Sequence, residues 1–494
     1  MLSMKDKKNN SSLSRIRGNI VDIVNRTIFQ GELEIYEGKI SALKRMPVSE
    51  KQYILPGFID SHLHIESSMM IPAEFAATAL PHGTTGVIAD PHEIANVMGV
   101  EGVMFMIENS RKTPLKIYYS APSCVPATPF ETSGALLGLA ETELLLSRPE
   151  IVSLAEMMNY PGVLHHDKEI LAKLATAKKY HKPVDGHAPG LRGKEVRQYA
   201  AAGISTDHEC TELEEAEEKI SYGMKIMIRE GSASKNFTTL IPLLQSSPGS
   251  IMFCSDDICP GDLMKGHINL LVKKSVEMGY DLMDTLRAAS YNPVKHYHLD
   301  TGLLREGDSA DFIIVDDLML FNILTTYIEG NPVAEKGRSI TIAEKERPVN
   351  NFRTPSLNRE DLKVKPLSNR MRVIEAYDAQ LNTGCSIVTP RIRNDEVLSD
   401  PGNDILKIVV VNRYRQSKPA VGFIKGFGLK RGALASTVAH DSHNIIAAGV
   451  NDSAILTAIE AVAATQGGLA VVNEEKKEIL PLPYAGLMSA DNAV

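Results

Sequence analysis

The stretch "GFIDSHLHIESSMM" (residues 57–70) runs an apolar strand into two histidines one residue apart, then a carboxylate and two serines. In an extended chain alternate residues share a face, so His62 and His64 point together at the C-terminal end of that strand. Two imidazoles placed in this way suit a cation. Taken alone, the pair also fits buried histidines that only satisfy backbone groups.

The sequence around this strand repeats one rhythm. Eight short apolar runs occur at 54–60, 84–90, 115–121, 150–156, 182–187, 203–209, 224–230 and 250–256. Helical patterns fill the gaps, for example "KEILAKLATAKKYH" and "GKEVRQYAAAG", the second closing on Gly203 as a residue just past a helix. Alternating strands and helices predict a parallel sheet. The span 54–300 is about 250 residues, the usual size of a (β/α)8 barrel. A doubly wound open sheet would need a Gly-rich first turn, which is absent.

The flanks differ. Residues 18–53 and 301–345 carry short strands with tight turns, such as Glu37-Gly38, and are expected to pair into one small flanking β-sandwich domain. Residues 1–17 are polar and expected to be mobile. The Pro-, Asn- and Arg-rich stretch 346–369 reads as a linker. Residues 370–494 return to strands and a helix, "SAILTAIEAVAATQGG", and form an additional C-terminal α/β domain.

Composition excludes several classes. The net charge of −8 leaves no basic footprint for nucleic acid or anionic membrane. Tryptophan is absent and aromatics are 5%, which disfavours stacking platforms. The five cysteines form no C-x-x-C pair and no even framework, so they read as reduced thiols of a cytoplasmic protein. The start has no apolar signal region, and no run of about 18 apolar residues predicts a membrane span. "GFGLKRG" (426–432) has the wrong spacing for dinucleotide binding. The H-x-E…P-C-x-x-C signature of nucleic-acid-editing deaminases is also absent. His440, Asp441 and His443 read as a turn before a helix, with a second metal cluster as the alternative, His165-His166 as a solvated loop, with a lid as the alternative, and Met69-Met70 as packing.

Other strand ends carry ligands too: Glu156 on strand 4, His187 on strand 5, His208 on strand 6 and Asp256 on strand 8. Active sites of barrels sit at this face. Burying six ionisable groups there without compensation would be costly. Four histidines and two carboxylates suit one or two divalent cations such as Mn, Fe or Zn. Asp90, His92 and Glu93 follow strand 2 at the same face, where they could ligate, touch substrate or support the ligands. After strand 7, Arg229, Glu230 and Ser232 are candidates to read a polar heterocycle, with an Arg229–Glu230 structural pair as the alternative. Glu209 is expected on the face opposite His208.

These motifs resemble the amidohydrolase superfamily. More narrowly, "PGFIDSHLHIESSMM", "DPHEIANVMG", "APSCVPA", "LAEMMNYPGV", "DGHAPGL", "MIREGSA" and "FCSDD" resemble the bacterial and archaeal adenine deaminases. The likeness extends to "GFGLKRGALASTVAHDSHNIIAAGVND" in the C-terminal domain. It implies hydrolysis of adenine to hypoxanthine and ammonia, a binuclear centre of Mn or Fe with Zn also compatible, and a homo-oligomer. It further implies His62 and His64 on one cation, His187 and His208 on another, Glu156 bridging, and Asp256 as a proton carrier. Glu66, in "IESSMM", joins the substrate-binding candidates. After "SDD" the family typically shows arginine, whereas this chain has Ile258. Two rivals share the strand-end ligands: another amidohydrolase reaction (cyclic-amide opening or amino-sugar deacetylation), and a non-catalytic metal-binding protein on the same scaffold.

Overall fold

The computed structural model describes residues 13–341, 346–378 and 380–491 of the 494-residue chain. A flanking sheet comes first: β1 (Ser14–Asp22), β2 (Thr27–Tyr36), β3 (Lys39–Arg45) and β4 (Tyr53–Pro56). The barrel follows with β5 (Phe58–Leu63), β6 (Thr84–Ala89), β7 (Lys116–Ala121), β8 (Ile151–Met157), β9 (Val184–Gly186), β10 (Thr206–Asp207), β11 (Lys225–Arg229) and β12 (Ile251–Cys254). Each overlaps one of the eight expected runs, though β5 continues to Leu63 and β8 to Met157, and the first run is split. Its opening residues, Ile54–Pro56, belong to β4, which pairs with β1 and not with the barrel. Gly57 makes the break between them. A Cβ there would lie 2.1 Å from Thr85 Oγ1, so only glycine lets the chain enter the barrel this close to β6.

Strands β5 to β9 form one parallel sheet and β10 to β12 another. Two parallel bridges join them, Val184 with Ile204 and Leu63 with Asp256, and close the barrel. β5 and β6 are buried along their whole length, as expected of strands covered on both faces.

The chain returns to the flanking sheet with β13 (Phe312–Val315), β14 (Ile323–Ile328), β15 (Asn331–Glu335) and β16 (Arg338–Ser339). The eight strands run β16-β15-β14-β13-β4-β1-β2-β3. The sheet curls on itself: the Ile40 N–H of β3 donates to Asp308 O, and Ala310 N–H donates to Gly38 O. Ile20, Leu33, Ile40, Ile54 and Phe312 form the core between its halves. Residues 1–12 of the expected mobile start lie outside the described residues. From Ser14 the expectation is corrected, because Arg15 and Arg17 pair across the strands with Glu34 and Glu32 at 2.9 and 2.7 Å.

The C-terminal domain is an eight-stranded sheet drawn from Met371–Pro481, with Leu406–Val411 and Ile445–Gly449 at its centre and the helix Asp452–Ala464 packed on it. The expected linker is not simply a solvated spacer. Its Leu362 is fully buried in this domain's core, with Phe352 and Leu357 against it. The last described stretch packs back on the barrel. Tyr484, Leu487 and Met488 join the barrel's hydrophobic cluster, and Ser489 N–H donates to Met69 O at 2.8 Å. Among the described residues no helix is long and apolar enough to cross a membrane.

Candidate active site

Strand ends bring the ionisable groups together. His62 lies near the end of β5 and His64 follows it; Asp90 follows β6; His92 and Glu93 open the helix His92–Met98; Glu156 lies near the end of β8; His187 and His208 follow β9 and β10. Asp256 lies beyond β12, where its N–H donates to His62 O at 3.0 Å and its carbonyl accepts from His64 N–H at 3.2 Å. These bonds fix strand 8 against strand 1 where their side chains meet. Asp256 adopts a left-handed conformation (φ 56°), which Asp tolerates better than most residues and which recurs at functional positions.

Glu156, 3% exposed, is the hub. Its Oε1 lies 3.5 Å from His64 Nε2 and 3.5 Å from His92 Nδ1. Its Oε2 lies 2.5 Å from His187 Nδ1 and 3.2 Å from His208 Nε2. Asp256 Oδ1 lies 3.1 Å from His64 Nε2 and 3.5 Å from His62 Nε2. Two ligands bound about 2.1 Å from one cation lie about 3.0–3.4 Å apart; the 3.1 and 3.2 Å separations fall in that range, the three of 3.5 Å lie just beyond it, and the 2.5 Å contact of His187 is a hydrogen bond. The hydrogen-bond pattern agrees. His64 Nδ1 faces the Asp90 carbonyl at 3.0 Å, so Nδ1 carries the proton and Nε2 presents its lone pair to the cluster. His62 Nε2 and His208 Nδ1 are buried without a hydrogen-bond partner among the described residues. The donor set therefore fits divalent metal. Donors within reach of a common ion at the barrel mouth group as His64-Asp90-His92-Glu156, His62-Glu156-His208, His62-His64-Asp256 and His187-His208-Glu209, and Glu93-His440-His443 makes a separate group beside them. Asp90 and His92 thus stand with the ligands, while Glu93 faces away toward the C-terminal domain.

Charges in the pocket hold one another. Burial pushes the Glu156 carboxyl up, but His187 and His208 outweigh it and keep the group well below its usual range. Asp256 is likewise raised by burial and brought well below its usual value by His62, His64 and Arg229. Burial lowers His187, but Glu156 raises it further, to about 9. Without a cation the site is a network of carboxylates and imidazoles that a metal must displace protons to enter.

Several sequence expectations need correction. Arg229 does not reach out toward a ligand: its guanidinium is buried, with Nη1 held by Glu209 and Asp256 and Nη2 2.6 Å from Ser234 Oγ. Its partner is Glu209, not Glu230. Glu209 was expected on the far face from His208, but β10 ends at Asp207 and strand alternation no longer applies. It lies 3.4 Å from His208 Nε2 and 3.8 Å from His187 Nδ1. Glu230, next to Arg229 in sequence, turns the other way and meets Lys274 at 3.2 Å. The Ser232 hydroxyl donates to Asp262 at 2.8 Å and accepts from Cys259 N–H, tying two loops together and leaving it little role toward a ligand. Ile258 is buried in the apolar cluster around the barrel. Glu66 remains at the site, 2% exposed. Its Oε1 accepts from Ile94 N–H at 3.1 Å, Oε2 has no partner among the described residues, and burial raises its pKa to about 7.

His440 and His443 were expected in a turn before a helix. They form a turn, but it leads into the strand Ile445–Gly449, and both imidazoles reach across to Glu93. Sequence reasoning missed this contact because the partner lies almost 350 residues away. The available signal was that "DPHE" and "HDSHN" each gather ionisable residues, but the sequence reading treated the two motifs separately.

Known proteins place this arrangement. The model of the amidohydrolase family matches residues 53–333, and that of the adenine deaminase C-terminal domain matches residues 380–494. The adenine deaminase of Salinibacter ruber is 51% identical over 475 residues, 96% of this chain and 87% of the relative. That of Methanosarcina mazei is 48% identical over 490 residues, covering 97% and 88%. That of Sulfurovum is 50% identical over 474 residues, covering 96% and 87%. Both the barrel with its ligand cluster and the domain that carries His440 and His443 fall within these matches, so the chain belongs to the amidohydrolase family and, within it, to the adenine deaminases.

Proposed function

We infer that this chain hydrolyses adenine to hypoxanthine and ammonia, with divalent metal at the barrel mouth. One observation supports the chemistry above all others: a single buried carboxylate, Glu156, lies among imidazoles from four different strand ends. When bound, divalent cations supply Lewis acidity that makes water a strong nucleophile near neutral pH. The residues that would hold the ions are His62, His64, Glu156, His187, His208 and Asp256, with Asp90 and His92 within reach. Imidazole with carboxylate suits Mn, Fe and Zn, and the family resemblance favours Mn or Fe.

The chain's own groups then do the proton work. Asp256 starts ionised, with Oδ2 fixed by Arg229 and Oδ1 facing the histidines. It takes a proton from the attacking water and returns it to the purine ring or to the departing amine. Glu209 fixes Arg229 from the other side, so the fork holds the orientation of Asp256. Glu66, raised by burial to about 7 and with one oxygen unpaired among the described residues, is placed to meet a ring nitrogen as donor or acceptor. The His62, His64, His208, Glu156 and Asp256 side chains are all nearly inaccessible, which strengthens every electrostatic contact there.

The test is a panel of free purines offered to metal-reconstituted protein, following ammonia and the ultraviolet change from adenine to hypoxanthine. Adenine-dependent ammonia release is expected. Release only from cyclic amides or N-acetylated amino sugars would replace this reading with another amidohydrolase reaction.

A further inference from the structure

Glu93 is 1% exposed and lies on the barrel, yet its strongest partners come from the C-terminal domain. Its Oε1 bonds to His440 Nδ1 and its Oε2 to His443 Nε2. Ala439 N–H donates to His443 Nδ1 at 3.2 Å, so that nitrogen is the acceptor and Nε2 carries the proton offered to Glu93. This proton pattern differs from that at the barrel mouth, where His64 turns its lone pair inward, although Glu93, His440 and His443 also lie within reach of a common ion. Glu93 Oε1 also lies 3.5 Å from His92 Nε2, and His92 Nδ1 bonds Asp90 at 3.1 Å while lying 3.5 Å from Glu156.

The segment that carries the two histidines is braced on both sides. Asn444 Nδ2 donates to Thr132 O at 2.9 Å, Ser442 Oγ bonds Glu131, and Tyr414 OH donates to Ser442 O at 2.7 Å. The loop 131–132 belongs to the barrel, so 439–444 is held from the barrel rim as well as from its own domain.

We propose that the C-terminal domain is part of the active site, with His440 and His443 as positioning residues that hold Glu93 and, through it, His92 against Glu156. This rests on the reading of the barrel mouth given above. The C-terminal domain would then set how His92 meets the reacting centre, in addition to covering the barrel.

Two measurements test it separately. The first is hydrogen exchange of the His443→Leu variant, which needs no assumption about the substrate. Faster exchange is expected in residues 90–98, with the helix Asp452–Ala464 as protected as in the parent. Unchanged exchange at 90–98 would overturn the proposal, as would faster exchange throughout 371–481, which would mean His443 only stabilises its own domain. The second is steady-state kinetics on adenine. His443→Leu should lower kcat about 10–100-fold, as loss of a ligand's supporting contact does, with KM changed less than about threefold. His443→Gln, whose amide N–H can reach Glu93, should recover most of kcat. Equal loss in both variants would overturn the proposal, and so would a fall of one bound metal ion per chain in His443→Leu, which would make the cluster a cation site. If the parent releases no ammonia from adenine, the reaction assignment fails while the exchange result still decides the positioning role.

Discussion

Glu156 and Glu93 are both buried carboxylates ringed by histidines, yet they are built for different tasks. Around Glu156, the Asp90 carbonyl occupies His64 Nδ1 and turns Nε2 toward Glu156 and Asp256, and His62 Nε2 has no hydrogen-bond partner among the described residues. Around Glu93, a backbone N–H occupies His443 Nδ1, so Nε2 arrives already carrying a proton. The same residue types thus make an ion site in one place and a hydrogen-bonded clamp in the other. What decides between them is the partner of the second ring nitrogen.

The comparison can be broken most sharply at its hub. Glu156→Gln keeps the shape of the side chain but removes its charge from among the imidazoles. We expect loss of at least one bound ion per chain and of measurable turnover, read by metal analysis and ammonia release. Retained metal with normal turnover would remove Glu156 from the centre. Asp256→Asn should leave the ions bound and lower kcat about 10²–10⁴-fold, the range for losing a general acid–base. Wild-type turnover in that variant would sink the proton-carrier role. Arg229→Lys keeps the charge but not the fork that spans Glu209 and Asp256. A fall in kcat of about tenfold, with metal content unchanged, is expected; no change would make the fork dispensable.

The last effect is on stability; it belongs to His440 in the clamp and depends on pH. Glu93 raises His440 to about 9, above its ordinary value of 6.5. Its contribution to stability is therefore full below pH 6.5 and is lost as pH rises through about 9. Burial lowers His443 to about 4, so its contribution holds above pH 6.5 and is lost as pH falls through about 4. The difference in Tm between the parent and His440→Gln should be largest below pH 6.5 and disappear by about pH 10. A difference that stays constant from pH 6 to 10 would show that the imidazolium does not hold the seam.

Much of this was legible in the sequence. Strand-end histidines and carboxylates announce themselves because the barrel's repeat places every strand end at one face, and His62, His64, Glu156, His187, His208 and Asp256 do converge. Legibility failed where local periodicity stopped being informative. β10 is two residues long, so alternation misplaced Glu209. Arg229 ends β11 and Glu230 lies just past it, and no spacing rule reveals that the arginine is occupied by Asp256. The pairing of Glu93 with His440 and His443 depends on how two domains dock, which no window of sequence contains.

The most direct test is stepwise metal reconstitution of the metal-free protein, with bound ions and adenine-dependent ammonia measured on the same samples. Ammonia release should be absent without metal and rise with occupancy to a plateau near two ions per chain. Full activity in the metal-free protein, or no ammonia at full occupancy, would contradict the account.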